Sequence, residues 1–87
     1  MKFPKQAELV KYQRNILGLT QVDVALAIWG EMPGASQQYS NIERGLAGIP
    51  PKKVLALCKV LSVSKKAVEI AANEDWLVHW QADVVRE

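Results

Sequence analysis

Apolar residues recur at three- and four-residue spacing almost from end to end, and no stretch alternates polar with apolar for long enough to make a strand. A chain patterned this way buries its apolar side chains by packing helix on helix. Pro4 opens a first helix with Leu9, Tyr12 and Ile16 on one stripe, and Gly18 ends it. Thr20, with Asp23 three residues later, caps a second helix from Gln21 to Ile28 or Trp29, which turns Val24, Ala25 and Ile28 to one side. Gly30 to Gly34 include a Pro-Gly pair and read as a turn. Ser36 is the natural cap of a third helix of about nine residues that stops near Gly45. Pro50-Pro51 start a fourth, with Val54, Leu55, Leu57, Cys58 and Leu61 as its core residues. Ser64 caps a fifth reaching Ala72, and Asn73, followed by Glu74 and Asp75, caps a last helix toward Arg86. The pattern predicts an all-α fold of five or six helices with an extended turn between the second and third.

Eighty-seven residues, 49% hydrophobic and 23% charged, suit one compact domain. The single Cys58 lies in an apolar run, so it forms no internal disulfide, packs as a small hydrophobe and points to a reducing compartment. No run approaches the ~18 apolar residues of a membrane span, and the expected location is the cytoplasm. One His and one Cys on different helices, no Gly-rich phosphate loop after a strand and no metal-ligand spacing argue against an enzyme, a metal or a cofactor. Net charge is +2, but unevenly spread. Met1 to Lys66 holds ten Lys and Arg against four acids, whereas Ala67 to Glu87 holds one Arg against five acids. One end attracts phosphate and the other repels it.

On the third helix, at 100° per residue, Tyr39, Ile42 and Leu46 fall within about 60° of one another and Gln37, Asn41 and Arg44 lie opposite. An outer face rich in amides suits the major groove, because Gln or Asn can donate to and accept from adenine at once. A solvated face that happens to hold amides fits the same pattern.

Leu17-Gly18-Leu19-Thr20-Gln21, Ala25, Ile42-Glu43-Arg44-Gly45, then Ile49-Pro50 and the apolar helix after it, together resemble the XRE family, the phage repressor and Cro type of helix-turn-helix. The resemblance spans residues 9–70. It implies a repressor-like DNA-binding domain over residues 1–72, with the amphipathic helix of residues 73–87 either part of the same unit or a dimer interface. It implies base reading by Ser36, Gln37, Gln38 and Asn41, and phosphate binding by Gln21, Arg44, Lys52 and Lys53. It also supplies a cation at Arg14 for Glu43, whose carboxylate the helical wheel turns toward the core face. The interval from Gln21 to Glu43 is roughly four residues longer than the family's tight turn. Those extra residues could lengthen the second helix, form a loop over the DNA backbone or tilt the third helix. Trp29 stands where the family often has a turn glycine, and Gln13 where it usually has an aliphatic residue.

The function implied is sequence-specific binding of double-stranded DNA by a homodimeric transcriptional regulator, a repressor, since one reading helix covers too few base pairs. An antitoxin-like module, binding DNA with one end and a partner protein with its acidic end, is the alternative. The two separate at the last helix, where Trp76, Leu77, Trp80 and Val84 fall within about 100° of arc. That stripe serves either the monomer's own core or a dimer or partner interface, and His79 beside it reads as a surface or satisfied core residue. Its negative charge disfavours a membrane surface.

Overall fold

In the computed structural model, which describes residues 2–86 with side chains from 2 to 78, the chain is all-helical, and no strand occurs among the described residues. The helices are α1 (Pro4–Leu17), α2 (Gln21–Trp29), α3 (Ala35–Glu43), α4 (Val54–Leu61) and α5 (Lys65–Arg86), with a 3₁₀ turn at Pro51–Lys53 leading into α4. No described helix is long and apolar enough to cross a membrane.

Local chemistry sets most of the boundaries. Gly18 takes the left-handed conformation, at φ 70°, that ends α1. Thr20 Oγ1 accepts from the Asp23 amide at 3.0 Å, and Asp23 Oδ2 accepts from the Thr20 amide at 2.9 Å, a complete capping box at the start of α2. Thr20→Ala is therefore expected to cost about 1 kcal/mol of unfolding free energy. Urea denaturation would measure it, and an unchanged midpoint would show that the box contributes nothing. Ser64 Oγ accepts from the Ala67 amide at 3.0 Å and starts α5 in the same way.

The core forms where Val10 of α1, Val24 and Ile28 of α2, Tyr39 and Ile42 of α3, and Leu57 and Leu61 of α4 converge. Val68 closes it from α5. These contacts leave Cys58 half-buried beside them, an ordinary packing position.

Several sequence expectations are corrected. The helix expected to begin at Asn73 does not exist: Asn73 is an exposed residue inside a continuous α5, so the described residues form five helices, the lower of the five or six expected. Neither Gly nor Pro interrupts that stretch, and Asp75 is engaged elsewhere. Ser36 does not cap α3. Gly34, left-handed at φ 83°, stands before Ala35, and Ser36 sits exposed in the first turn. Leu46 is 53% exposed, because α3 ends at Glu43 and Gly45 redirects the chain at φ 72°. Leu55 is 72% exposed, because the 3₁₀ turn fixes the entry of α4 so that Leu57 and Leu61 face inward. On α1 the buried stripe is Gln6, Ala7 and Val10, while Tyr12 and Ile16 face out.

The N-terminus of α1 is held from afar. Phe3 at its N-cap has no side-chain oxygen to cap the helix. Asp75, 1% exposed on α5, accepts instead from the Lys5 amide at 2.7 Å and the Gln6 amide at 3.1 Å. Gln6 Oε1 in turn accepts from the Ile49 amide at 2.8 Å, and the Gly45 carbonyl accepts from the amides of Lys2 and Phe3. The Asp75 carboxylate thus ties α5 to α1, and the Gln6 side-chain carbonyl ties α1 to the segment between α3 and α4.

Candidate nucleic-acid interface

The turn between α2 and α3 decides how α3 is presented. α2 stops at Trp29, so the extra residues do not lengthen it; Gly30, at φ 72°, starts an exposed turn through Gly34. The Ala35 amide donates to the Met32 carbonyl at 3.2 Å, which folds the turn back on itself. Trp29 is buried, and its ring lies 6.4 Å from that of Tyr39 at 59°. This tilted ring contact pins the end of α2 onto α3.

Beneath α3, Glu43 is fixed by two residues, Arg14 and Gln21. Arg14 of α1 reaches it with both arms of its guanidinium, Nε to Oε2 and Nη2 to Oε1 at 3.0 Å. Arg14 Nη1 donates to the Leu19 carbonyl at 2.9 Å, and Gln21 Nε2 of α2 donates to Glu43 Oε1 at 3.1 Å. Burial alone would push the Glu43 carboxyl up, but the hydrogen bonds from Arg14 and Gln21, the Tyr39 hydroxyl nearby and the Arg14 charge outweigh it and hold the carboxyl below the usual glutamate range. The same pairing raises the Arg14 guanidinium, against a smaller opposing effect of burial. Burial, then the nearby Glu43 carboxylate, pushes the Tyr39 hydroxyl up as well. That hydroxyl is buried beside the pair without a partner at full hydrogen-bond geometry.

With its inner face fixed, α3 turns Ser36, Gln37 and Gln38 to solvent and leaves Asn41 half-buried beside them. Gln37 Nε2 donates to Asn41 Oδ1 at 2.9 Å, one turn apart. The bond leaves the Gln37 carbonyl oxygen and the Asn41 amide nitrogen as a neighbouring acceptor and donor. Gln38 and Asn41 also border a small cleft of about 120 Å³ with Trp29, Ala47 and Pro50. Arg44 is exposed just past the helix, Lys52 is exposed two residues beyond Pro50, and Lys53 is half-buried.

Gln21 has a different setting from the others: its side-chain amide is committed to Glu43. Asp23 is exposed at the same end of α2, its carboxyl held below the usual range by hydrogen bonds from the Thr20 backbone and hydroxyl. A carboxylate there already occupies the positive end of the helix. Trp76 and Leu77 are 61% and 46% exposed, and the side chains of His79, Trp80 and Val84 lie outside the described ones. Among the described residues, no cluster of His, Cys, Asp and Glu could hold a metal ion. Asp75 and Gln6, which anchor the scaffold, carry no local sequence signal, since their partners lie up to 70 residues away. No family model matches the chain, and neither does any curated protein or solved structure compared with it.

Proposed function

We propose that this chain is a sequence-specific double-stranded DNA-binding protein, a cytoplasmic transcriptional regulator of the XRE helix-turn-helix type that acts as a homodimer on a short operator, rather than an enzyme. The observation that carries the reading is the Gln37 and Asn41 pair. Two amides are held by a 2.9 Å hydrogen bond on the outer face of a helix whose inner face is clamped by Arg14, Gln21 and Glu43. Ordering the reading groups before DNA arrives lowers the entropy lost on binding. The acceptor and donor left free match the N6 and N7 edge of adenine in the major groove. Ser36 and Gln38 flank the pair, while Arg44, Lys52 and Lys53 supply positive charge for the backbone. Gln21 contributes by holding Glu43, so any phosphate contact at that end of α2 falls to backbone amides.

Enrichment of random duplex DNA on the purified protein should yield a palindromic consensus. On that site, Gln37→Ala or Asn41→Ala is expected to cost ~1 to 3 kcal/mol while binding to scrambled DNA stays unchanged. Lys52→Ala and Lys53→Ala should weaken both DNAs alike and reduce the salt slope by about one per lost phosphate contact. Equal losses on both DNAs for the amide variants would show that α3 does not read sequence. Absence of any enriched sequence, together with a co-purifying protein, would favour the antitoxin-like module.

A further inference from the structure

Leu55 and Gln6 each sit against the ordinary trend for their type. Leu55 is 72% exposed on a helix that buries Leu57 and Leu61, and Gln6 is 5% exposed on the buried stripe of α1. Both border one open cavity of about 400 Å³, where α1, the Pro51–Lys53 turn, α4 and α5 meet. Ile49, Val54 and Val68 give it apolar walls.

The Gln6 carboxamide is only half used. Its Oε1 accepts from the Ile49 amide at 2.8 Å, and because that amide requires an oxygen opposite it, the orientation of the group is fixed. Nε2 is the atom left over, and it donates to no described residue. Nor is it sealed inside, since the Tyr39 hydroxyl is the one described side-chain polar atom that is both fully buried and without a partner. A donor on an otherwise buried side chain, at the wall of an apolar cavity, calls for an acceptor. At the edge stand Lys65 and Glu69, one turn apart on α5 and both exposed. Their opposite charges balance, so the mouth favours neither an anion nor a cation, and either ion would lose hydration against the apolar walls. The cavity falls in the size range of small-molecule sites, ~300 to 1,000 Å³, and shares their pattern of mainly apolar lining with a few placed polar groups.

We propose that this cavity binds a small uncharged molecule made of an apolar body and a carbonyl oxygen. The oxygen accepts from Gln6 Nε2, the body lies against Ile49, Val54 and Val68, and Leu55 covers it as an outer lip. Ile49 and Val54 bracket the turn that carries Lys52 and Lys53, whose Lys53 amide donates to the Pro50 carbonyl at 2.9 Å. An occupant therefore stiffens the turn that presents both lysines. Any effect on phosphate binding rests on the function proposed above, whereas occupancy is measured without DNA, so either can fail while the other stands.

The test is a nuclear magnetic resonance titration of the whole nitrogen-15-labelled chain with hexanamide, phenylacetamide and indole-3-acetamide, and with the three corresponding carboxylates. At least one amide is expected to give saturable shifts at Ile49, Val54, Val68 and the Gln6 side-chain nitrogen, and to bind at least about tenfold more tightly than its carboxylate. Ala72→Leu fills the cavity from a half-buried position on α5 and should abolish the saturable shifts. Gln6→Glu keeps an oxygen for the Ile49 amide but replaces the donor with an acceptor at neutral pH, and should weaken the amide about tenfold. Circular dichroism verifies that each variant folds. Should Gln6→Glu misfold, Leu55→Ser at its exposed position replaces it, with at least about a threefold loss expected as the lip is removed. Absence of saturable shifts with all three amides, carboxylates that bind as tightly as the amides, or unchanged binding to Ala72→Leu would each overturn the proposal.

Discussion

Arg14→Ala is expected to lower the unfolding free energy by about 3 to 5 kcal/mol, because it strands a buried carboxylate. The Glu43 side chain is 2% exposed and that of Arg14 14%, so water cannot take over what the guanidinium supplies. Removal of Arg14 also frees the Leu19 carbonyl. Arg14→Lys keeps the charge but not the fork, and should recover only part of the loss. The double replacement Arg14→Met with Glu43→Leu should cost less than Arg14→Ala, since no unpaired charge then remains inside. Chemical denaturation of the series decides the matter. An Arg14→Ala chain as stable as the parent would show that the pair contributes nothing.

The pair also sets a pH dependence whose sign is fixed by the Glu43 carboxyl. Its proton affinity is lower in the folded chain than in the unfolded one. The stabilisation is therefore complete above the ordinary glutamate range and is lost as pH falls through the lower, folded value. Arg14 is shifted the other way, so its share is lost only in strong alkali and does not affect the acid limb. Glu43→Gln should be less stable than the parent at neutral pH and lose less on acidification. Parallel acid limbs for the two proteins would place the titration elsewhere.

What the chain wrote locally was legible, and what it wrote across distance was not. Thr20 with Asp23, Gly18 and the Gly30 to Gly34 turn act within four or five residues, and their conformations follow from capping and left-handed glycine. The inner and outer faces of α3 followed from helical periodicity, but only as far as the helix runs. Projecting the wheel past Glu43 placed Leu46 in the core, where Gly45 had already turned the chain. Leu55 failed for a related reason: a 3₁₀ turn shifts the phase with which α4 begins. Asn73-Glu74-Asp75 carried the composition of a cap, yet that composition could not reveal that Asp75 caps a different helix. The extended turn left three outcomes open, and the burial of Trp29 against Tyr39 removes the one in which α2 grows longer.

Asp75→Ala is the second change expected to have a large effect, about 3 kcal/mol. Charge-assisted hydrogen bonds from amides to a carboxylate contribute ~1.5 to 3 kcal/mol, and two are lost together here. Pro4 has no amide proton and the Ala7 amide already donates to the Phe3 carbonyl, so the Lys5 and Gln6 amides are the first-turn donors that need an outside acceptor. Both find it on Asp75. Asp75→Asn retains one acceptor oxygen without the negative charge that suits a helix N-terminus, and should lose about half as much. Glu74→Ala, at the exposed position next door, should stay within about 0.5 kcal/mol and controls for helix propensity. Hydrogen exchange then locates the loss. Amides of Lys5 and Gln6 should exchange faster in both Asp75 variants, followed by Ile49, whose amide depends on the Gln6 side chain. The α3 amides, held by Arg14 and Glu43 at the other end of α1, should respond less. If Asp75→Ala matches Glu74→Ala in stability and leaves the start of α1 protected, the carboxylate is not what fastens α5 to the body.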